Sequence, residues 1–140
     1  ANGVRVGFFI QLGYPGEGLD ELLATRRLIE NARPDEIGVS VAYPLPGTPF
    51  HEQVREQLGA KTHWDDSGDL ALMFQGTFNS EFYRQVRDLL HEQVDLARPD
   101  GEVSADRHRL ARVSLHQRWD KLIASASHDQ AGQGHPALMK

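Results

Sequence analysis

A strand–helix–strand pattern fills the first 43 residues and limits the fold more than any other feature of the chain. Val4 to Gln11 (VRVGFFIQ) is rich in β-formers and runs into a turn cluster, Gly13 to Gly18 (GYPGEG), which predicts a strand. Leu19, Leu22, Leu23 and Ile29 then recur at helical spacing, with acids early and arginines late, as the helix dipole favours. Pro34 cannot continue a helix, so this one is expected to end near Ala32. Glu36 to Tyr43 (EIGVSVAY) predicts a second strand. A crossover of this length makes the two strands parallel.

Side chains alternate across a strand, so each strand can be read as two faces. Ile37, Val39, Val41 and Tyr43 share one face of the second strand, and Gly38, Ser40 and Ala42 share the other. In the first strand Val4, Val6, Phe8 and Ile10 alternate with Arg5, Gly7, Phe9 and Gln11. The bulky face suits packing against helices. The face of small residues either leaves room for a ligand or packs closely under another element, and the pattern alone does not decide between them.

The remainder reads as helices. Thr48 caps and Pro49 opens a helix with Phe50, Val54 and Leu58 on one face, and Gly59 ends it. Residues 60 to 79 are irregular, with one short strand expected at Leu70 to Phe74. Asn79 or Ser80 caps a helix to about Ala97, whose stripe is Tyr83, Val86, Leu90 and Val94. Ser104 opens a last helix with Leu115, Trp119, Leu122 and Ile123 at its apolar positions. From about His128 the composition predicts a flexible tail. Two strands make a poor sheet, which points to a carboxy-terminal piece of a larger parallel sheet or barrel.

Several function classes are excluded or disfavoured. The chain has no cysteine, so it forms no disulfide, thiolate zinc site, cysteine nucleophile or iron–sulfur cluster of its own. A net charge of −5 gives no electrostatic reason to expect nucleic acid or an anionic membrane as partner. No apolar run approaches the length of a bilayer span, and no signal peptide is visible, so a soluble, cytoplasmic protein is expected. Arg107, Arg109, Arg112, Arg118 and Lys121 make the last helix basic, but nearby acids dilute them and a solvated face is the expectation.

The Gly13–Gly18 turn joins a strand to a helix, where backbone amides can approach a phosphate. Its spacing fits neither the dinucleotide fingerprint nor the P-loop, and Glu17 would repel a phosphate, so a tight structural turn is the better local reading. His63 with Asp65 and Asp66 is the nearest approach to a metal cluster, against the plainer reading of a solvated loop. No Ser/His/Asp arrangement or carboxylate pair stands out, so no catalytic residue is assigned.

The stretch GFFIQLGYPGE through YPLPGTPF resembles the late barrel strands of radical S-adenosylmethionine enzymes. In that family a Gly-x-Pro-Gly-Glu turn ends one strand and a Pro-Gly-Thr-Pro loop follows the next. The continuation EQLGAKTHWDDSGDLALMFQGTFNSEFYRQVRDLLH is similar to cobalamin-binding-type members related to the anaerobic magnesium-protoporphyrin IX monomethyl ester cyclase. The resemblance covers about residues 3 to 92. It implies an α/β fold, the terminal βαβ unit of a partial (β/α)6 barrel followed by C-terminal helices. Residues 1–78 would be barrel, 79–128 a helical extension and 129–140 a tail.

The same resemblance implies an oxidoreductase or transferase that uses S-adenosylmethionine and a [4Fe–4S] cluster, with cobalamin in some members. The cluster cysteines and any cobalamin domain would lie in the rest of the parent chain, and this segment alone would be inert. Gly13, Pro15, Gly16 and Glu17 match the turn after the fifth barrel strand, which supports the cofactor pocket together with Gln11 from the strand. Ala42 and Tyr43 end the sixth, where the family's backbone approaches the adenine. Gly18 stands where the family has Thr or Ser, and the Gln11–Leu12 segment is one residue longer than the commonest form. Two other readings stand beside this one: a nucleotide-binding module built on Gly13 to Gly18, and a structural or assembly module of the later helices. Exposed strand edges would also favour pairing of two copies.

Overall fold

The computed structural model describes residues 3–61, 64–98 and 104–132. Strand β1 (Gly7–Leu12), helix α1 (Leu19–Ala32) and strand β2 (Glu36–Val41) form the βαβ unit. Helices α2 (Pro49–Leu58), α3 (Ser80–Ala97) and α4 (Ala105–Gly132) follow, with a 3₁₀ segment at Trp64–Leu70 between α2 and α3. The chain is therefore a mixed α/β protein, with four α-helices and a two-stranded parallel sheet among the described residues.

The strands pair in the register Phe8–Ile37, Ile10–Val39 and Leu12–Val41, which gathers the bulky side chains on one face. Pairing starts at Gly7 rather than Val4. The Val6 carbonyl accepts from the Asp35 amide at 2.8 Å, and the Val6 amide donates to the Asp35 carboxylate at 2.6 Å, so Asp35 closes the ladder there. Val4 and Val6 consequently lie outside the core, 77% and 48% exposed. At the other end the Ala42 amide still reaches the Leu12 carbonyl at 2.6 Å.

Helices α1 and α3 share the bulky face, and α4 packs on α3. Leu22 and Ile29 of α1 meet Ile10, Leu12, Ile37 and Val41 of the sheet, and Val86, Leu90 and Val94 of α3 join them. Leu115, Trp119, Leu122 and Ala126 of α4 complete the same core. Asn79 caps α3 by accepting from the Phe82 amide at 2.8 Å. Phe78, just ahead of the cap, packs edge-on against Tyr83 at 5.9 Å, a hydrophobic staple that fixes the entry of the chain. Thr48 caps α2 as its sequence predicts, and a smaller cluster of Val54, Leu58, Met73 and Phe74 forms beneath that helix.

Leu70–Phe74 is not a strand. Leu70 has φ +59, the Ala71 amide donates to the Gly68 carbonyl and the Leu72 amide to the Ser80 hydroxyl, and just past the run the Gln75 amide donates to the Gln57 side chain. Leu70, Met73 and Phe74 of the run are buried, but as anchors in an irregular segment. Helix α4 runs past the expected stop at His128 to Gly132, and residues 133–140 of the expected tail lie outside the described residues. Among the described residues no helix is long and apolar enough to cross a membrane.

Candidate functional site

Each strand is followed by a Pro-Gly turn, and the two turns are built alike. In Tyr14–Glu17 the Glu17 amide donates to the Tyr14 carbonyl at 2.9 Å, with Pro15 second and Gly16 third at φ +85. In Leu45–Thr48 the Thr48 amide donates to the Leu45 carbonyl at 3.2 Å, with Pro46 second and Gly47 third at φ +84. Proline followed by a residue with positive φ is the requirement of a type II turn. Both turns therefore stand at the carboxy ends of parallel strands, where open α/β sheets place their ligands.

The first turn is held from inside. The Glu17 carboxylate accepts the Gly13 amide at 2.7 Å, and the Glu21 carboxylate accepts the Gly18 amide at 2.8 Å. Gly18 has no side chain with which to cap α1, so Glu21 supplies only the returning half of a capping box. The Gly13 and Gly18 amides at the two ends of this turn are thus bonded to carboxylates rather than left for a phosphate. Gln11 is exposed, and its side-chain carbonyl accepts from the Tyr14 hydroxyl at 2.6 Å. The Tyr14 ring leans on Phe50 of α2 at 5.7 Å, and Phe50 meets Phe74 edge-on at 5.3 Å.

The sheet face opposite the helices carries Phe9, Gln11, Gly38 and Ser40. Phe9 is 75% exposed, so this face is open. A Cβ on Gly38 would sit 3.3 Å from the Phe9 ring, so the glycine is what lets that ring lie across the neighbouring strand.

Of the residues singled out in the sequence, Gln11, Gly13, Glu17 and Ala42 come together at the carboxy end of the sheet, with Pro15 and Gly16 in the turn above. Ala42 is fully buried. Tyr43 turns the other way, half-buried against Val54, Leu58, Met73 and Phe74. His63 lies outside the described residues; among those described, no group of three or more His, Asp or Glu side chains is placed to hold a metal.

Tyr83 belongs to this site, and sequence reasoning placed it only in a core stripe. Its ring lies 3.4 Å from the position of a Cβ on Gly13, and its buried hydroxyl has no hydrogen-bond partner among the described residues. Burial pushes the Tyr83 pKa up, and the negative charge of Glu17 pushes it further. The Phe78 backbone opposes that shift without closing a hydrogen bond of acceptable geometry. Burial likewise raises the Glu17 carboxyl, against the Gly13 amide and with the help of Glu21. The only advance signal was that a tyrosine in an apolar stripe needs somewhere for its hydroxyl to go.

Two expected results follow from this pair. An unsatisfied buried polar group costs about 1–3 kcal/mol, so Tyr83→Phe should raise stability by about 1 kcal/mol; a lowered urea midpoint would instead mean that the hydroxyl has a partner. Glu17 holds its proton to higher pH in the folded chain than in the unfolded one. The folded state is therefore favoured below the unfolded value of about 4.5, and loses that advantage as pH rises through the raised folded value. Glu17→Gln keeps an acceptor for the Gly13 amide and should flatten this decline. Thermal midpoints of both proteins across pH 4 to 8 check it, and parallel profiles would count against the burial argument.

No family model matches the chain, and neither a curated protein nor a solved structure gives a significant match.

Proposed function

We propose that the chain is part of a radical S-adenosylmethionine enzyme of the cobalamin-binding type. In it, β1 and β2 form the fifth and sixth strands of a partial (β/α)6 barrel and one wall of the S-adenosylmethionine pocket. The observation that carries this reading is the helix-free sheet face, whose small residues Gly38 and Ser40 lie just below two type II turns. An open face of that kind suits a barrel interior, and the strand ends above it suit a ligand.

The residues present fit S-adenosylmethionine in chemistry: Phe9 offers an exposed aromatic surface, and Gln11 and Ser40 offer polar groups beside it. They do not fit a [4Fe–4S] cluster, which needs thiolates that this chain lacks, so the cluster belongs to another part of the parent. The two rival readings have less support. The Gly13 and Gly18 amides are bonded to carboxylates, and Leu115, Trp119, Leu122 and Ala126 of α4 are buried in the core that α3 shares with the βαβ unit rather than offered to a partner.

The coding sequence ahead of Ala1 tests the proposal. A Cys-x-x-x-Cys-x-x-Cys loop after a first strand, followed by further strand–helix repeats, is the expected finding; an extended frame with neither sinks the reading.

The free strand edges carry an expected result for the chain on its own. Among the described residues the sheet has two strands, so each has an unpaired edge that a barrel would fill. Sedimentation equilibrium should show self-association that grows with concentration. A single species at 15.7 kDa throughout would rule against open edges.

A further inference from the structure

At the opposite end of the strands from the Pro-Gly turns, the carboxy ends of α1 and α3 meet the start of α4 around a cavity of about 570 Å³. Among the described residues four arginines line it: Arg26 midway along α1, Arg33 at its carboxy end, Arg98 just after α3 and Arg112 on α4. A single carboxylate among the described residues, Glu30, lines it with them. In a chain with a net charge of −5, this is a local reversal of sign.

The arginines are not all in the same state. Arg26 lies over the Trp119 ring at 4.7 Å and feels both Glu30 and Asp120. The guanidinium groups of Arg33, Arg98 and Arg112 have no hydrogen-bond or ion-pair partner among the described residues. The plainer reading is that they neutralise helix ends. Each helix carboxy end carries about −0.5 of an elementary charge, so two of them offset about one arginine and leave the excess cationic. The amino end of α4 adds positive potential rather than removing it.

Helix α4 turns a stripe spaced by four residues toward this cavity: His108, Arg112 and His116. His108 is already engaged, its Nε2–H donating to the Leu96 carbonyl at 2.6 Å, a bond that ties α4 to the end of α3. The floor is apolar, with Ile29, Val94 and Leu115 buried beneath the charged rim. A rim of arginines over an apolar floor, at the size of ordinary small-molecule pockets, suits an anion with an organic body.

We propose that this cleft between α1, α3 and α4 binds a small phosphorylated molecule, with Arg33, Arg98 and Arg112 as its phosphate ligands. Three guanidinium groups from three different parts of the chain supply more donors than one carboxylate can accept, whereas a phosphate can accept from all three. This inference does not depend on the barrel reading, because it uses the other end of the molecule.

The experiment is a two-dimensional amide NMR titration of the intact chain with inorganic phosphate, at fixed ionic strength. Sodium malonate, a dicarboxylate of similar charge, is titrated in parallel. Saturable shifts centred on Arg33, Arg98 and Arg112, stronger for phosphate than for malonate, are expected. Arg112→Gln and Arg33→Gln should each weaken phosphate binding about tenfold, a loss of one charge-assisted contact. Both side chains are exposed, and a dispersed spectrum verifies the fold of each variant. Arg107→Gln, on the same helix but outside the cavity, should leave binding unchanged. Shifts that never saturate, equal binding of malonate, or full affinity in both cleft variants would each overturn the proposal.

Discussion

Trp119→Ala is expected to destabilise the chain by about 3–5 kcal/mol, which lowers the thermal midpoint on the order of 10–15 °C. Trp119 is 2% exposed and is the largest fully buried side chain among the described residues. It joins α4 to the core shared by the sheet, α1 and α3, and the Arg26 guanidinium covers its ring at 4.7 Å. Removing it leaves a cavity that helix packing closes only in part, and strips Arg26 of its aromatic partner, a contact worth about 0.5–2 kcal/mol. Since small domains are stable by only about 5–15 kcal/mol in total, this single change takes a large share. Chemical denaturation followed by tryptophan-independent circular dichroism measures it. A loss below about 1 kcal/mol would show that α4 is not integral to the core.

Gly13→Ala and Gly16→Ala should differ sharply although both glycines have nearly the same backbone angle. Their φ values are +81 and +85, so an alanine at either position carries left-handed strain of about 1–2 kcal/mol. Around Gly16 there is open space, and the strain is the whole effect. At Gly13 a Cβ would stand 3.0 Å from Leu72 Cδ2 and 3.4 Å from the Tyr83 ring, so overpacking of about 1–3 kcal/mol is added. Gly13→Ala should therefore lose about 2–5 kcal/mol, and the difference between the two variants isolates the packing contribution. Equal losses in urea denaturation would mean that Leu72 and Tyr83 move aside freely.

The elements that were legible in the sequence are those whose signals are local. Pro34 and the run EIGVSV marked the end of α1 and the second strand, Thr48-Pro49 marked the start of α2, and Asn79 marked the cap of α3. Leu70–Phe74 misled because a short apolar run reports burial without reporting what its backbone bonds, and here the bonds went to the Gly68 carbonyl and the Ser80 side chain. The start of β1 was set too early because VRV has strand composition, while the ladder is closed by Asp35, which is distant in sequence.

The candidate site divides the same way. The Gly13–Glu17 turn was visible as a motif, and its internal bond from Gly13 to Glu17 spans only four residues. The approach of Tyr83 depends on how α3 docks, and no periodicity carries that information. The arginine cleft was hidden for a related reason. Arg33, Arg98 and Arg112 are far apart in the chain, and each looks like an ordinary solvated charge until three helix ends are brought together.

The place of Trp119 in the core bears on how the chain can be made. β1 and β2 find each other early, since only α1 separates them, yet their bulky face is sealed by side chains that emerge much later. During synthesis Ile10, Leu12, Ile37 and Val41 must wait, unburied, while more than half of the chain is still being translated. Exposed apolar surface of that kind is prone to aggregation, and a ribosome stalled before the Trp119 codon would release a product with its apolar face open.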